Sequence, residues 1–271
     1  MTEMTQSQTA VSEQENIQLP RIKFTTKLSS GLLREYFSKN TGLVIKVYGR
    51  IGGLLRMTSD NNVINTMVSD WAATNMDIAL AQVEEIEAQH EAALLAAGVE
   101  NEDKGDVEVD RPEPLDVNWV VNHPSFHVLR KVITKIDQAI VKAENLYYEG
   151  IMDDIQFRSL QAQAINIIGG ILDRIRKATA PGKRTTKDVT RYVPAELSKH
   201  IREGGYRLEF FDVPASVREM TQEYDARYAA MKSLIEQRKR EKEKRNAAEN
   251  KGKNASEEKS QEKQLKDSEV A

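Results

Sequence analysis

Residues 21–28 of this 271-residue chain alternate in character, with Ile22, Phe24, Thr26 and Leu28 on one side and Arg21, Lys23, Thr25 and Lys27 on the other. A period of two marks a strand with one face on a core and one in solvent. Pro20 stands just before it, where a strand start tolerates a missing N–H. A single strand is not a stable object, because its backbone donors and acceptors need a partner. No good partner lies nearby in the sequence, and most of the chain beyond residue 30 is patterned for helices. A second copy of the chain, pairing its own strand with this one, would supply the missing partner.

After Ser29-Ser30-Gly31 comes a short amphipathic run, Leu32, Leu33, Tyr36 and Phe37. Asn40-Thr41-Gly42 reads as a turn, with Asn40 or Thr41 able to cap a new helix. A second apolar run follows at Leu43, Val44, Val47, Tyr48, Ile51, Leu54 and Leu55. Its β-branched members leave a strand as an alternative there. Strand, short helix, turn and second helix is the order of a ribbon-helix-helix protomer. In that arrangement two chains pair their single strands antiparallel, and the resulting ribbon enters the DNA major groove. The expected fold is thus mainly α: a ribbon-helix-helix unit over 20–57, one strand per protomer pairing across a dimer, plus a helical body with a helical hairpin.

Charge supports this reading. Residues 21–56 hold eight Lys or Arg and one acid, a net of +7 within a chain of net −3. Residues 57–116 hold fifteen acids and two bases, a net of −13. Basic side chains that neutralise phosphates release condensed counterions, so a confined basic block is a candidate DNA footprint. Lys23, Thr25 and Lys27 are the expected base-reading side chains. Arg21, Thr41, Gly42 and Lys46 are the expected phosphate contacts, the middle pair through free N–H groups at a helix start. The competing reading is a solvated sheet edge guarded by lysines.

A long amphipathic helix is expected within 58–98, on Ile64, Met67, Trp71, Ile78, Val83, Ile86 and Leu94, with Gly98 as its stop. Residues 99–117, acidic and carrying Pro112 and Pro114, read as a linker. A helical body follows over 118–235. Pro124 opens one helix with Phe126, Leu129, Ile133, Ile136, Ile140, Ala143 and Tyr147 on one face. Gly150 breaks it, and Asp153 or Asp154 caps the next, which carries Ile155, Leu160, Ala164, Ile167, Ile168, Ile171, Leu172 and Ile175. A final helix shows Val217, Met220, Tyr224, Tyr228, Met231 and Ile235. Residues 1–19 and the charged stretch 236–271 are expected to be disordered tails. Residues 188–193, near the basic loop 181–187, offer a rival ribbon strand, less suited to phosphate because of Asp188 and the nearby Glu209 and Asp212.

Catalytic patterns are thin, so no enzyme activity, cofactor or metal is expected. The chain has no cysteine and four histidines. His123 and His127 are four apart, but Pro124 places His123 before the helix and no HExxH glutamate lies between them. Gly49-Arg50-Ile51-Gly52-Gly53 lacks the spacing of a nucleotide loop. No stretch approaches the roughly 18 apolar residues of a membrane span, and the polar N-terminus has no leader pattern, so a cytoplasmic location is expected.

The run RIKFTTKLSSGLLREYFSKN, then YGRIGGLLR, then Ser69-Asp70-Trp71, then HPSFHVL and YYEGIMDD, resembles the AcaB-like transcriptional regulators of conjugative plasmids and integrating conjugative elements. The resemblance spans residues 20–230. It implies a ribbon-helix-helix DNA-binding homodimer that activates transfer genes, with double-stranded promoter DNA as partner and RNA polymerase as a further contact. Its glycines 49, 52 and 53 depart from a plain ribbon-helix-helix pattern. The alternative is a structural or adaptor protein of a conjugation or secretion apparatus, working through helical interfaces.

Overall fold

Strand β1, Ile22–Leu28, pairs antiparallel with β2, Leu115–Val121, in a two-stranded sheet. The register runs from Ile22 opposite Val121 to Leu28 opposite Leu115. A computed structural model describes residues 21–98, 109–180, 194–202 and 213–234, positions 208 and 210, and parts of 236–246. The alternation read in β1 holds: Thr26 and Leu28 are buried, and Lys23, Thr25 and Lys27 are exposed. In β2, Val117, Trp119 and Val121 are buried, and Asp116, Asn118 and Val120 are exposed. Trp119 donates its indole N–H to Thr26 at 3.0 Å, which satisfies the one hydroxyl on the inner face.

This pairing corrects the expectation that β1 must look to a second chain. Its partner lies in the same chain, in the stretch read as the end of an acidic linker. Residues 109–114 carry no regular structure, but Leu115–Val117 belong to the sheet.

Helix α1 runs unbroken over Gly31–Met57. The expected turn at Asn40-Thr41-Gly42 is absent, and with it the strand-helix-turn-helix order of 20–57. Two causes are visible. Asn40 and Thr41 spend their side chains on the carbonyls of Tyr36 and Phe37, four residues back, rather than on capping a new helix. The buried series Leu33, Phe37, Val44, Val47, Tyr48, Ile51 and Leu54 also keeps helical phase through 40–42. Packing of one continuous stripe outweighs the weak propensity of three residues.

The start of α1 is fastened from across the molecule. Ser30 caps it, accepting from Leu33 N–H. Asp137, on α3 (Phe126–Tyr148), accepts from Ser29 N–H and Ser30 N–H at 2.9 Å each and from the Ser30 hydroxyl at 2.6 Å. Glu144, also on α3, accepts from Gly31 N–H at 2.9 Å. Two carboxylates thus meet the positive end of the helix dipole. Burial raises the Glu144 carboxyl above the usual range, opposed by the Gly31 N–H and by Arg111.

Helix α2, Asn62–Ala96, is capped by Asn61 and ends before Gly98, whose φ of 67° suits glycine. Asn65 donates to the Leu55 carbonyl at 2.8 Å and locks the α1–α2 corner. Helix α3 turns through Gly150, φ 73°, into α4, Asp154–Ala178. Asp153 forms a capping box with Gln156, as its position suggested. Ile155 departs from the expected apolar face and is 80% exposed in the first turn of α4. Helices α1 to α4 and the inner face of the ribbon enclose one core. Within it, Arg174 of α4 donates to Asn75 of α2. Gly170 leaves space for that guanidinium, since a Cβ there would sit 3.1 Å from an Arg174 nitrogen.

Helix α5 is Pro194–Arg202. After a 3-10 turn at Ala215–Val217, residues 218–234 form α6. Its buried side joins the core through Phe210, which stacks on Trp71 at 5.7 Å and meets Tyr224 edge-on at 5.0 Å. The described residues within 236–246 are helical, which moves the expected start of the charged tail further along the chain. Their Glu, Lys and Arg are good helix formers. The expected N-terminal tail, the basic loop 181–187 and the rival strand 188–193 lie outside the described residues.

Candidate nucleic-acid interface

The base-reading candidates Lys23, Thr25 and Lys27 share the outer face of the ribbon with Val120, Asn118 and Asp116 respectively opposite them. The three are not equivalent. Thr25 donates its hydroxyl to Asn118 Oδ1 at 2.9 Å, so that proton is already engaged. Lys27 faces an acid across the strands, a favourable pair that lowers its net field. Lys23 faces valine and keeps its full charge outward.

Four other cations gather at one end of the ribbon. Arg21 enters from the chain before β1, and Lys46, Arg50 and Arg56 enter from α1. They line a cleft of about 680 Å³, completed by Gly49, Gly53, Asn122, Pro194 and an apolar wall that includes Ile45, Met57, Val120 and Phe126. No lining residue among those described is acidic. Arg21, Lys46 and Arg56 are exposed at its margin. Arg50 is only 4% exposed and donates to the Thr179 hydroxyl at 3.3 Å, at the end of α4.

Local sequence explains this helix face. Lys46, Gly49, Arg50, Gly53, Arg56 and Met57 follow spacings of three and four, so they fall on one side of α1. The glycines keep that side low between the cations. The adjacent Gly52 admits the chain that leaves β2. A Cβ on Gly52 would lie 2.6 Å from His123 Cβ, so only glycine fits at that crossing. Tyr48 donates to the Ser125 carbonyl at 3.1 Å and fixes the same crossing, and burial raises its phenol above the usual value. Ser125 N–H donates to His123 Nδ1 at 3.2 Å. Burial, and then the neighbouring Arg56, holds the His123 imidazole below its usual pKa, so it adds no charge at neutral pH.

Of the phosphate candidates, Arg21 and Lys46 come together in this cleft. Thr41 and Gly42 do not. They sit inside α1, where their N–H groups belong to a helix interior and the Thr41 hydroxyl bonds Phe37. The expected clamp at a second helix start is therefore overturned. The true start of α1 is already occupied by Asp137 and Glu144. Sequence reading counted Arg50 and Arg56 in the basic block without assigning them a site. The signal was their helical phase with Lys46 and the two glycines. The other wall arrives from residues 120–126 and 194, which no local pattern joins to α1.

His127 stacks on Phe24 at 5.2 Å. The Arg130 guanidinium lies 5.6 Å from the centre of the Phe24 ring. Among the described residues no three His, Asp or Glu side chains come together as metal ligands, and no helix is long and apolar enough to cross a membrane.

No model of a known protein family matches the chain, and no curated protein matches it. Among solved structures the chain is similar to the crystal structure of selenomethionine-containing AcaB from uropathogenic E. coli. Identity is 16%, the TM-score is 0.45, and the match covers 67% of this chain and 98% of that one. The resemblance to AcaB-like regulators is met at the level of distant structural similarity only. At that distance neither family membership nor function passes from one chain to the other.

Proposed function

We propose that the protein is a DNA-binding transcriptional regulator whose α1–β2 cleft grips the phosphate backbone while the outer face of the ribbon turns toward the groove. The cluster of Arg21, Lys46, Arg50 and Arg56 without an acid among the described lining residues carries this reading. Such a surface attracts polyanions in a chain whose overall charge is negative. The exposed ribbon face starts beside Arg21, so phosphate contacts at the cleft bring Lys23 and Thr25 near base edges. The resemblance of residues 20–230 to AcaB-like regulators adds conjugative-transfer genes as targets, action as a homodimer in the cytoplasm, and contact with RNA polymerase. No catalytic step, cofactor or metal belongs to this reading.

The test is binding to a labelled promoter fragment against scrambled DNA. Lys23→Ala lowers selectivity by about 1–3 kcal/mol if that contact is specific. Lys27→Ala has a smaller effect because Asp116 opposes that lysine. Wild-type protein that binds neither DNA, or binds both equally, refutes the regulator.

The exposed apolar end of the molecule favours one other reading, an adaptor of a conjugation or secretion apparatus. Leu95 is 81% exposed, and Ile155, at 80%, lines a groove with Ala92, Ala93, Ala96 and Met152. An apolar partner seated there stays bound at salt concentrations that release DNA.

A further inference from the structure

The cationic cleft is lined by more than cations. A phosphate backbone calls on the exposed Arg21, Lys46 and Arg56, and the apolar lining residues offer it no charge to pair with. About 680 Å³ lies within the range of about 300–1,000 Å³ typical of small-molecule sites. Its lining is of two kinds. Cations stand at the margin, and Ile45 and Met57 of α1 with Val120 of β2 supply apolar lining. Gly49 adds no side chain to the α1 side. A ligand that satisfies both kinds of wall carries phosphate at one end and a flat, weakly polar body at the other.

We propose that this cleft binds a phosphorylated nucleoside, and that the ligand releases DNA by occupying the same three exposed cations. The second half rests on the DNA-binding reading, and the first half does not. The phosphates meet Arg21, Lys46 and Arg56, and the base lies against Ile45, Met57 and Val120. A ligand that neutralises cations shared with DNA lowers duplex affinity by competition, with no change of fold.

The test is calorimetric titration of the full chain with ADP, beside pyrophosphate as a charged control and adenosine as an uncharged one, followed by ADP competition against a labelled duplex. ADP is expected to bind saturably and about tenfold more tightly than either control, and to release the duplex. Gly49→Ala is the informative variant. Its new Cβ lies 4.0 Å from Phe126 Cζ, an ordinary contact, so the helix accepts it while the cleft becomes shallower. It weakens ADP severalfold. Pyrophosphate binding as tightly as ADP overturns the proposal, because the apolar wall then contributes nothing. Duplex binding without ADP binding also overturns it and leaves the regulator standing. ADP binding without duplex binding does the reverse, supporting the ligand site and refuting the regulator.

Discussion

Replacing Gly42 decides whether α1 is one helix or two. In the continuous helix Gly42 lies near the middle of 27 residues, it is exposed, and a Cβ there meets nothing within 4 Å. Gly42→Ala then adds no clash and removes only the backbone freedom of the unfolded chain. The gain is about 1 kcal/mol. Gly42→Pro does the opposite. It deletes a hydrogen bond of the helix interior and sets its ring against the preceding turn, at a cost of about 3 kcal/mol or more. Had the chain turned at Asn40-Thr41, Thr41 would be the cap and Gly42 the first helical residue. Proline is favoured at that position. The two substitutions thus separate the structures by sign as well as size. Urea unfolding monitored by circular dichroism reads both, through the midpoint at constant slope. A Gly42→Pro protein as stable as wild type, or a destabilised Gly42→Ala protein, refutes the continuous helix.

Gly52→Ala, in contrast, places a Cβ 2.6 Å from His123 Cβ. Overpacking outweighs the gain in helix propensity, so stability falls by about 1 kcal/mol; a gain in the same unfolding assay would show that the β2–α3 turn is not held where described. Asp137→Ala strands the buried donors of Ser29 and Ser30 and costs on the order of 3 kcal/mol, and a loss well under 1 kcal/mol would contradict the cap. His90 is fully buried on α2, and burial, with Lys142 second, lowers its pKa to about 4. Between that value and the 6.5 of a free imidazole, the unfolded chain binds the proton and the folded chain does not. Stability therefore rises with pH from about 4 to 6.5, by on the order of 3 kcal/mol. His90→Leu removes that component, and an unaltered pH profile in the variant would place the titration elsewhere.

Periodicity and caps made part of the fold legible in the sequence. The alternation of 21–28 gave the strand and its exposed face, because a half-buried strand leaves no other pattern. Gly150 and Asp153 marked the α3–α4 turn through their backbone and capping chemistry. Misreadings arose where local signals competed with distant packing. Asn40-Thr41-Gly42 has the chemistry of a turn, but the buried stripe passes through it in phase. Leu115, Val117, Trp119 and Val121 alternate as clearly as β1 does. They were obscured by Pro114, Asp116 and Asn118 and by the acidic run before them. Register needs both strands, so the Lys27–Asp116 and Thr25–Asn118 pairings were invisible until the partner was known. The cleft was hidden for a similar reason: its walls come from separate parts of the chain, joined only by the crossing at Gly52 and His123.

The most direct test of the central claim is the salt dependence of duplex affinity for the wild type and for an Arg21→Ala/Lys46→Ala/Arg56→Ala variant whose circular dichroism is unchanged. Each phosphate contact contributes a slope of about −0.9 in log affinity against log salt concentration. Loss of three contacts should therefore make the slope shallower by about 2.7. An unchanged slope in a folded variant would contradict the cleft as the phosphate grip.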